Sequence, residues 1–290
     1  MPEARQQTIT HTAVLTAIAM LAFAANSLLC RLALAGDLID AATFTSARTI
    51  AGALMLGLIL MFRGGSYSRL PTNWRTVAAL LIYLVFFSFA YLSLSASTGA
   101  LLLFGAVQLT MFVVALREGE KFPVVSWIGF VLAILGLIYL VLPGVTAPDP
   151  LGATLMIVAG IAWGFYSLLG GSTADPLEAT ARNFLYSVPL VLLVSLFFLP
   201  HFHSSVYGLI LAVASGAITS GCGYVIWYAA LSGLSATQAA TVQLSVPVIA
   251  AFGGVLLLTE PATLRLVLAS VATLGGVAIV LSQQVGAKNQ

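Results

Sequence analysis

Thr241-Val-Gln-Leu-Ser-Val-Pro247, together with its earlier echo Ala106-Val-Gln-Leu-Thr110, decides how this chain folds. Both segments lie inside apolar runs, near 236–258 and 97–116, and a bilayer span needs about 20 such residues. A glutamine at that depth finds no water in the hydrocarbon, so its amide must face protein or a wet cavity. Pro247 cannot donate to the carbonyl four residues back, which belongs to Gln243. One turn of helix therefore offers an amide, the Ser245 hydroxyl and a freed carbonyl, and Pro247 marks a helix break suited to gating. Gln108 and Thr110 form a partial copy half a chain earlier. Polar midpoints repeated in the two halves of a membrane chain point to a solute path between those halves.

Composition supports the lipid setting. The chain has 290 residues, 60% hydrophobic and 7% charged, with mean hydropathy +1.08. A soluble domain carries about 25% charged residues to cover its surface. The net charge of +2 is too small and too dispersed to suggest nucleic acid. Cys30 and Cys222 fall within apolar runs without a CxxC or Cys/His partner, and read as buried thiols. No metal and no cofactor is expected. The first apolar run, 13–35, exceeds a signal peptide's apolar core of about 7–15 residues and reads as the first spanning helix.

Charges, prolines and short polar clusters divide the chain into ten spans near 13–35, 41–62, 75–95, 97–116, 124–142, 151–171, 179–199, 206–230, 236–258 and 263–283. Only Ser95-Ala-Ser-Thr98 separates the third from the fourth, and Ser232-Gly-Leu-Ser235 the eighth from the ninth. Arg5, Arg63, Arg69, Arg75, Arg117, Lys121 and Lys288 fall on one side, while Asp37, Asp40 and Asp149 fall on the other. By the positive-inside rule both termini are cytoplasmic, with Arg31 and Arg265 as exceptions at outer span ends.

An internal repeat runs through these spans. Tyr91-Leu-Ser-Leu-Ser95 parallels Tyr228-Ala-Ala-Leu-Ser232, and a Val-Gln-Leu-Ser/Thr segment follows each. Ala47-Arg48 parallels Ala181-Arg182, Glu120 parallels Glu260, and Gly136 parallels Gly276. Five spans per half is odd, so the second copy enters the membrane upside down. The expected fold is an all-α membrane protein of ten transmembrane helices. Its two inverted five-helix repeats, 1–145 and 150–285, enclose a central cavity.

The order of motifs resembles the drug/metabolite transporter superfamily in its ten-helix EamA-type branch, over nearly the whole chain. The resemblance rests on Pro247-Val-Ile-Ala-Ala-Phe, on Leu256-Leu-Leu-Thr-Glu260-Pro261, and on the last span through Gly275-Gly276. Ala162-Trp163-Gly164 is similar to the Trp-Gly opening of a family repeat. Phe23-Ala24-Ala25-Asn26 keeps only the Asn of that opening, and span four has Met111-Phe112 where the family has proline. Length and aromatic content resemble the YddG-type aromatic amino-acid exporters.

A transporter needs a few polar groups among apolar walls at the repeat interface. Asn26 is either such a group or a helix–helix hydrogen bond, and Gln108 and Gln243 carry the same two readings. Tyr83, Phe87 and Tyr91 recur at i, i+4 and i+8 and so share one helix stripe. With Trp163, Tyr166, Tyr224 and Tyr228 they form a candidate wall for an apolar or aromatic solute. Near span ends, Tyr91, Trp227 and Tyr228 also suit interface anchoring. Arg48 can meet a substrate carboxylate, or snorkel or pair with helix carbonyls as Arg182 can. Glu120 and Glu260 read as caps and loop anchors. The candidate binding set is Asn26, Tyr83, Phe87, Gln108, Trp163, Tyr166, Tyr224, Tyr228, Gln243 and Ser245.

No Asp or Glu falls mid-span, and His11, His201 and His203 lie in the tail or a loop, whereas proton-coupled carriers keep a titratable group inside the membrane. The expectation is an inner-membrane exporter of small amphiphilic metabolites, aromatic or hydrophobic amino acids first, working by uniport-like alternating access. Partners are a small-molecule substrate and the bilayer, and a monomer suffices. The alternatives are an exporter of lipophilic drugs or cations such as methyl viologen, or a nucleotide-sugar or sugar-phosphate carrier, which would need paired Lys or Arg. An intramembrane enzyme would need a nucleophile with its base at depth, and none is present.

Overall fold

The computed structural model describes residues 2–64, 72–119, 122–144, 147–170, 175–234 and 236–287. Arg69, Glu120, Lys121, Ser235 and Lys288 lie outside the described residues, as does the side chain of Arg5.

The apolar runs fold as helices because lipid leaves backbone groups no partner but each other. They are α1 (Pro2–Ala35), α2 (Ala41–Phe62), α3 (Trp74–Ala90), α4 (Ala96–Arg117), α5 (Val124–Val141), α6 (Pro150–Gly170) and α7 (Pro176–Phe197). After them come α8 (Val206–Leu231), α9 in two pieces (Ala236–Gln243 and Ser245–Leu258) and α10 (Leu264–Ala287). Among the described residues nine stretches are long and apolar enough to cross a membrane, and α3 adds a shorter tenth. Side-chain caps set several starts: Asp40 accepts from Thr43 N, Ser95 from Thr98 N, Asp175 from Leu177 N, and Ser205 from Gly208 N.

Two boundaries differ from the hydropathy pattern. Helix α3 ends at Ala90, and Tyr91 to Leu94 form a turn, because Ser95 begins α4 by capping it. Helix α9 breaks at Leu244, between its pieces, with Pro247 in the first turn of the second piece.

Helix contacts repeat when each helix is exchanged for the one five places away. Helix α1 packs on α8 and α9, as α6 packs on α3 and α4; α2 packs on α8, as α7 packs on α3. The pairs α2·α7, α4·α9 and α5·α10 map onto themselves. These pairs reveal the inversion. Ser46, early in α2, bonds Ser195 late in α7 at 2.7 Å, while Arg63 after α2 meets Asp175 before α7 at 3.9 Å. Helices α2 and α7 are therefore antiparallel, and so are α5 and α10, where Leu142 after α5 accepts from Arg265 early in α10.

In lipid two backbones gain contact only where side chains are small. On the α5·α10 seam Gly136 packs on Thr273 and Gly276 on Ala133, positions that the repeat exchanges. A Cβ on Gly136 would stand 2.8 Å from Thr273 N, and one on Gly276 2.6 Å from Ala133 N. Gly276→Leu is therefore expected to overpack the seam and destabilise the bundle by about 1–3 kcal/mol, read as a lower thermal midpoint in detergent. An unchanged midpoint would contradict this packing.

Candidate functional site: an aromatic cavity

Helices α1, α3, α4, α6 and α8 converge on a small cavity of about 20 Å³, near the volume of one water. Aromatic rings form most of its wall. Tyr83 and Phe87 share a face of α3, with ring centroids 5.2 Å apart, as their spacing predicts. Trp163 of α6 sits 4.7 Å from Tyr83 and stacks on Tyr224 of α8 at 5.4 Å and 25°. Phe23 of α1 and Phe104 of α4 complete the rings.

Asn26 is the polar centre. Its Oδ1 accepts from Ser215 Oγ at 2.6 Å and Thr219 Oγ1 at 3.2 Å, and its Nδ2 donates to Tyr83 OH at 3.3 Å. One buried amide thereby ties α1 to α3 and α8. The two hydroxyls reach it from a π-helical stretch of α8, Ser215–Cys222. Such an irregularity re-aims side chains that an unbroken α-helix would carry elsewhere. Its sequence signal is the cluster of small residues in Ser215-Gly-Ala-Ile-Thr-Ser-Gly-Cys222.

Two further features flank the cavity. At one end a cleft of about 740 Å³ runs between α1, the α8–α9 turn and α9. Thr12, Thr16, Thr241 and Ser245 give it polar edges, and Met20 and Ile249 line it too. At the other end a charged contact joins α1, α4 and the end of α9. Thr259 ends α9 in the left-handed region (φ 53°), which turns Glu260 back toward α4. Both carboxylate oxygens of Glu260 accept from Ala96 N, at 2.8 and 3.0 Å, so the acid caps the α4 N-terminus. Arg31 Nε lies 3.5 Å from the same carboxylate, and Arg31 Nη1 donates to Tyr91 O and Leu92 O at 3.0 and 3.2 Å. Gly254 leaves room for the Glu260 carboxylate. Glu260 is thus the cap its sequence position suggests, but on a different helix.

The sequence candidates separate accordingly. Asn26, Tyr83, Phe87, Trp163 and Tyr224 meet at the cavity, and Ser245 lines the cleft. Tyr166 and Tyr228 stand outside the cavity wall; both phenols bond Thr180 Oγ1, at 3.4 and 3.1 Å, and Tyr166 backs Trp163 at 5.3 Å. Gln108 and Gln243 line neither cavity nor cleft. Gln108 donates instead to Ala240 O at 3.4 Å, joining α4 to α9. The proline break that exposes Ser245 leaves Gln243 half-buried beside the cleft's lining residues. Tyr91 and Trp227 are buried, so neither anchors at a lipid interface. Arg182 meets Glu178 at 3.5 Å. Arg48 neither snorkels nor bonds a carbonyl, being 1% exposed with its guanidinium 4.8 Å from the Phe87 ring centroid. Sequence reasoning passed over Ser27, Phe104 and Thr219, since short hydroxyls and apolar residues in a span carry no signal of the face they occupy.

Asn26→Ala is expected to leave Tyr83, Ser215 and Thr219 without their shared partner and to cost about 1–3 kcal/mol. Gln108→Ala should cost about 0.6 kcal/mol, the usual value of one interhelical bond in lipid. Equal thermal shifts for the two variants would contradict the distinction.

Known proteins share this fold. Residues 150–282 match the EamA-like transporter family. The uncharacterized protein PA1977 of Pseudomonas aeruginosa is 48% identical over 276 residues, covering 95% of this chain and 96% of that protein. A solved crystal structure superposes with a TM-score of 0.65 at 17% identity, over 92% of this chain and 95% of that one, and so shares the fold. With nine span-length apolar helices and a shorter tenth among the described residues, arranged as two inverted sets, this multi-pass membrane protein belongs to the EamA-like transporter family.

Proposed function

We propose that this transporter exports small amphiphilic metabolites, aromatic and other hydrophobic amino acids first, across a bacterial inner membrane by uniport-like alternating access. The observation that carries the reading is the ring-walled cavity around Asn26. Trp163 and Tyr224 are stacked there, and Tyr83 and Phe87 stand beside them. Such faces suit a planar apolar group, each aromatic contact being worth about 0.5–1.5 kcal/mol beyond its area. Among the described residues that line cavity and cleft there is no Asp, Glu or His, which supports downhill movement over proton exchange.

With both termini cytoplasmic, the 740 Å³ cleft opens to the cytoplasm and the Arg31–Glu260–Ala96 contact closes the outer end. Solute enters the cleft, parts the rings as it reaches the cavity, and leaves when the outer contact opens. The repeats 1–145 and 150–285 rock as units about the cavity. Two such states interconvert readily only when their free energies differ by a few kcal/mol.

The deciding experiment reconstitutes the protein in liposomes and follows efflux of labelled phenylalanine, tryptophan, methionine and methyl viologen, with and without a pH gradient. Amino-acid flux indifferent to the gradient is expected, and Trp163→Ala should lower it about 3- to 10-fold. Flux that needs the gradient would overturn the uniport mechanism. Flux of methyl viologen alone would move the assignment to lipophilic cations. For the outer contact, Glu260→Gln should raise maleimide labelling of Ser97→Cys about 10-fold in a background lacking Cys30 and Cys222. Unchanged labelling would mean that this contact does not hold the end shut.

A further inference from the structure

Arg48 lines neither cavity nor cleft, yet it is a charged side chain buried within a span, which is costly. It lies about a third of the way along α2 and is 1% exposed. Among the described residues Nε, Nη1 and Nη2 all lack a hydrogen-bond partner. Its main chain cannot retreat, because the Gly216 backbone of α8 packs directly against the Arg48 carbonyl. The carboxylates at the helix ends are committed elsewhere, Glu178 to Arg182 and Glu260 to Arg31 and the α4 N-terminus.

What faces the guanidinium is the back of the cavity wall. Its central carbon is 4.8 Å from the Phe87 centroid and 5.7 Å from that of Tyr83, and both rings line the cavity. Contact with ring faces offsets only part of the cost of removing a cation from water. On the cavity side, Ser27 Oγ is also buried without a partner. One unmet donor thus lines the cavity from α1 and another lies behind its α3 rings, while Trp163 and Tyr224 supply apolar faces within the same cavity.

We infer that Arg48 is the carboxylate-binding group of this transporter, reached when solute parts Tyr83 and Phe87, with Ser27 as a second donor. The inference rests on the amino-acid reading above and makes it specific. A guanidinium presents two parallel N–H donors to a carboxylate, a match that an ammonium lacks. The solute's ring then lies toward Trp163 and Tyr224. In the closed cavity Phe87 and Tyr83 occupy the anion's position against the guanidinium, which keeps the empty site from holding a bare cation in hydrocarbon.

The test measures binding of three solutes to the purified full chain by isothermal titration: phenylalanine, 3-phenylpropionate and 2-phenylethylamine. The first two carry the carboxylate and the third lacks it. Wild type should bind both carboxylates about 10- to 100-fold more tightly than the amine. Arg48→Met should erase that preference while leaving amine binding within about 3-fold, and Arg48→Lys should restore part of it. Binding of 3-phenylpropionate without phenylalanine would reject amino acids as substrates yet uphold the role of Arg48. Wild-type binding of the amine equal to that of the carboxylates overturns the inference, and needs no variant to fold. So does an Arg48→Met protein that is monodisperse and still prefers carboxylates, or that loses all three solutes alike. Failure of wild type to bind either carboxylate overturns both the inference and the amino-acid reading.

Discussion

A polar side chain inside lipid must find its partner within the protein, and the Asn26 amide meets that constraint for three helices at once. Its oxygen takes two hydroxyl protons from α8 and its nitrogen donates to a phenol on α3. The ring series Tyr83, Trp163 and Tyr224 starts from that arrangement, because Tyr83 is held by Asn26 and Trp163 lies between Tyr83 and Tyr224. The π-helical stretch of α8 is part of the same solution. It carries Ser215 and Thr219 to the amide, while Gly216 lets the main chain of α2 come close.

The two ends of the bundle use different chemistry. One is tied together by a carboxylate that caps a helix belonging to the opposite repeat and pairs with an arginine from α1. Charge-assisted hydrogen bonds such as these are roughly twice as strong as neutral ones. The other end carries a broken helix. Pro247 stands in the first turn of the second piece of α9, and Thr241 and Ser245, on either side of the interruption at Leu244, line a cleft beside α1. Small-residue seams such as Gly136 on Thr273 let α5 and α10 pack closely away from the cavity.

The repeated glutamines illustrate how far a pattern in sequence reaches. Their depth and duplication required a protein environment, which Gln108 has, but the partner is a carbonyl of α9 and not a cavity. A glutamine satisfied across a helix interface looks the same in sequence as one lining a cavity. The aromatic stripe of α3 was readable because i, i+4 spacing places rings on one face whatever that face meets. Which rings become wall and which become support depended on α6 and α8: Trp163 fills the space beside Tyr83, and Thr180 draws the phenols of Tyr166 and Tyr228 away. Arg48 was visible as a charge within a span. That it lies unpaired behind two rings follows from the approach of α8 to α2, which no local pattern encodes.

By itself the sequence determined the solvent, the helices and the inversion. Too few charges exist to cover a water-facing surface, apolar runs of spanning length have no stable alternative to helix in lipid, and an odd number of spans per repeat turns the second copy over. Only the tertiary structure decided which polar groups meet, which helix Glu260 caps, and where the π-helical stretch falls. Those outcomes are set by distances between helices remote in the chain. A hydrogen bond from Ser215 to Asn26, or from Ala96 to Glu260, exists only once packing has brought its two ends within about 3 Å.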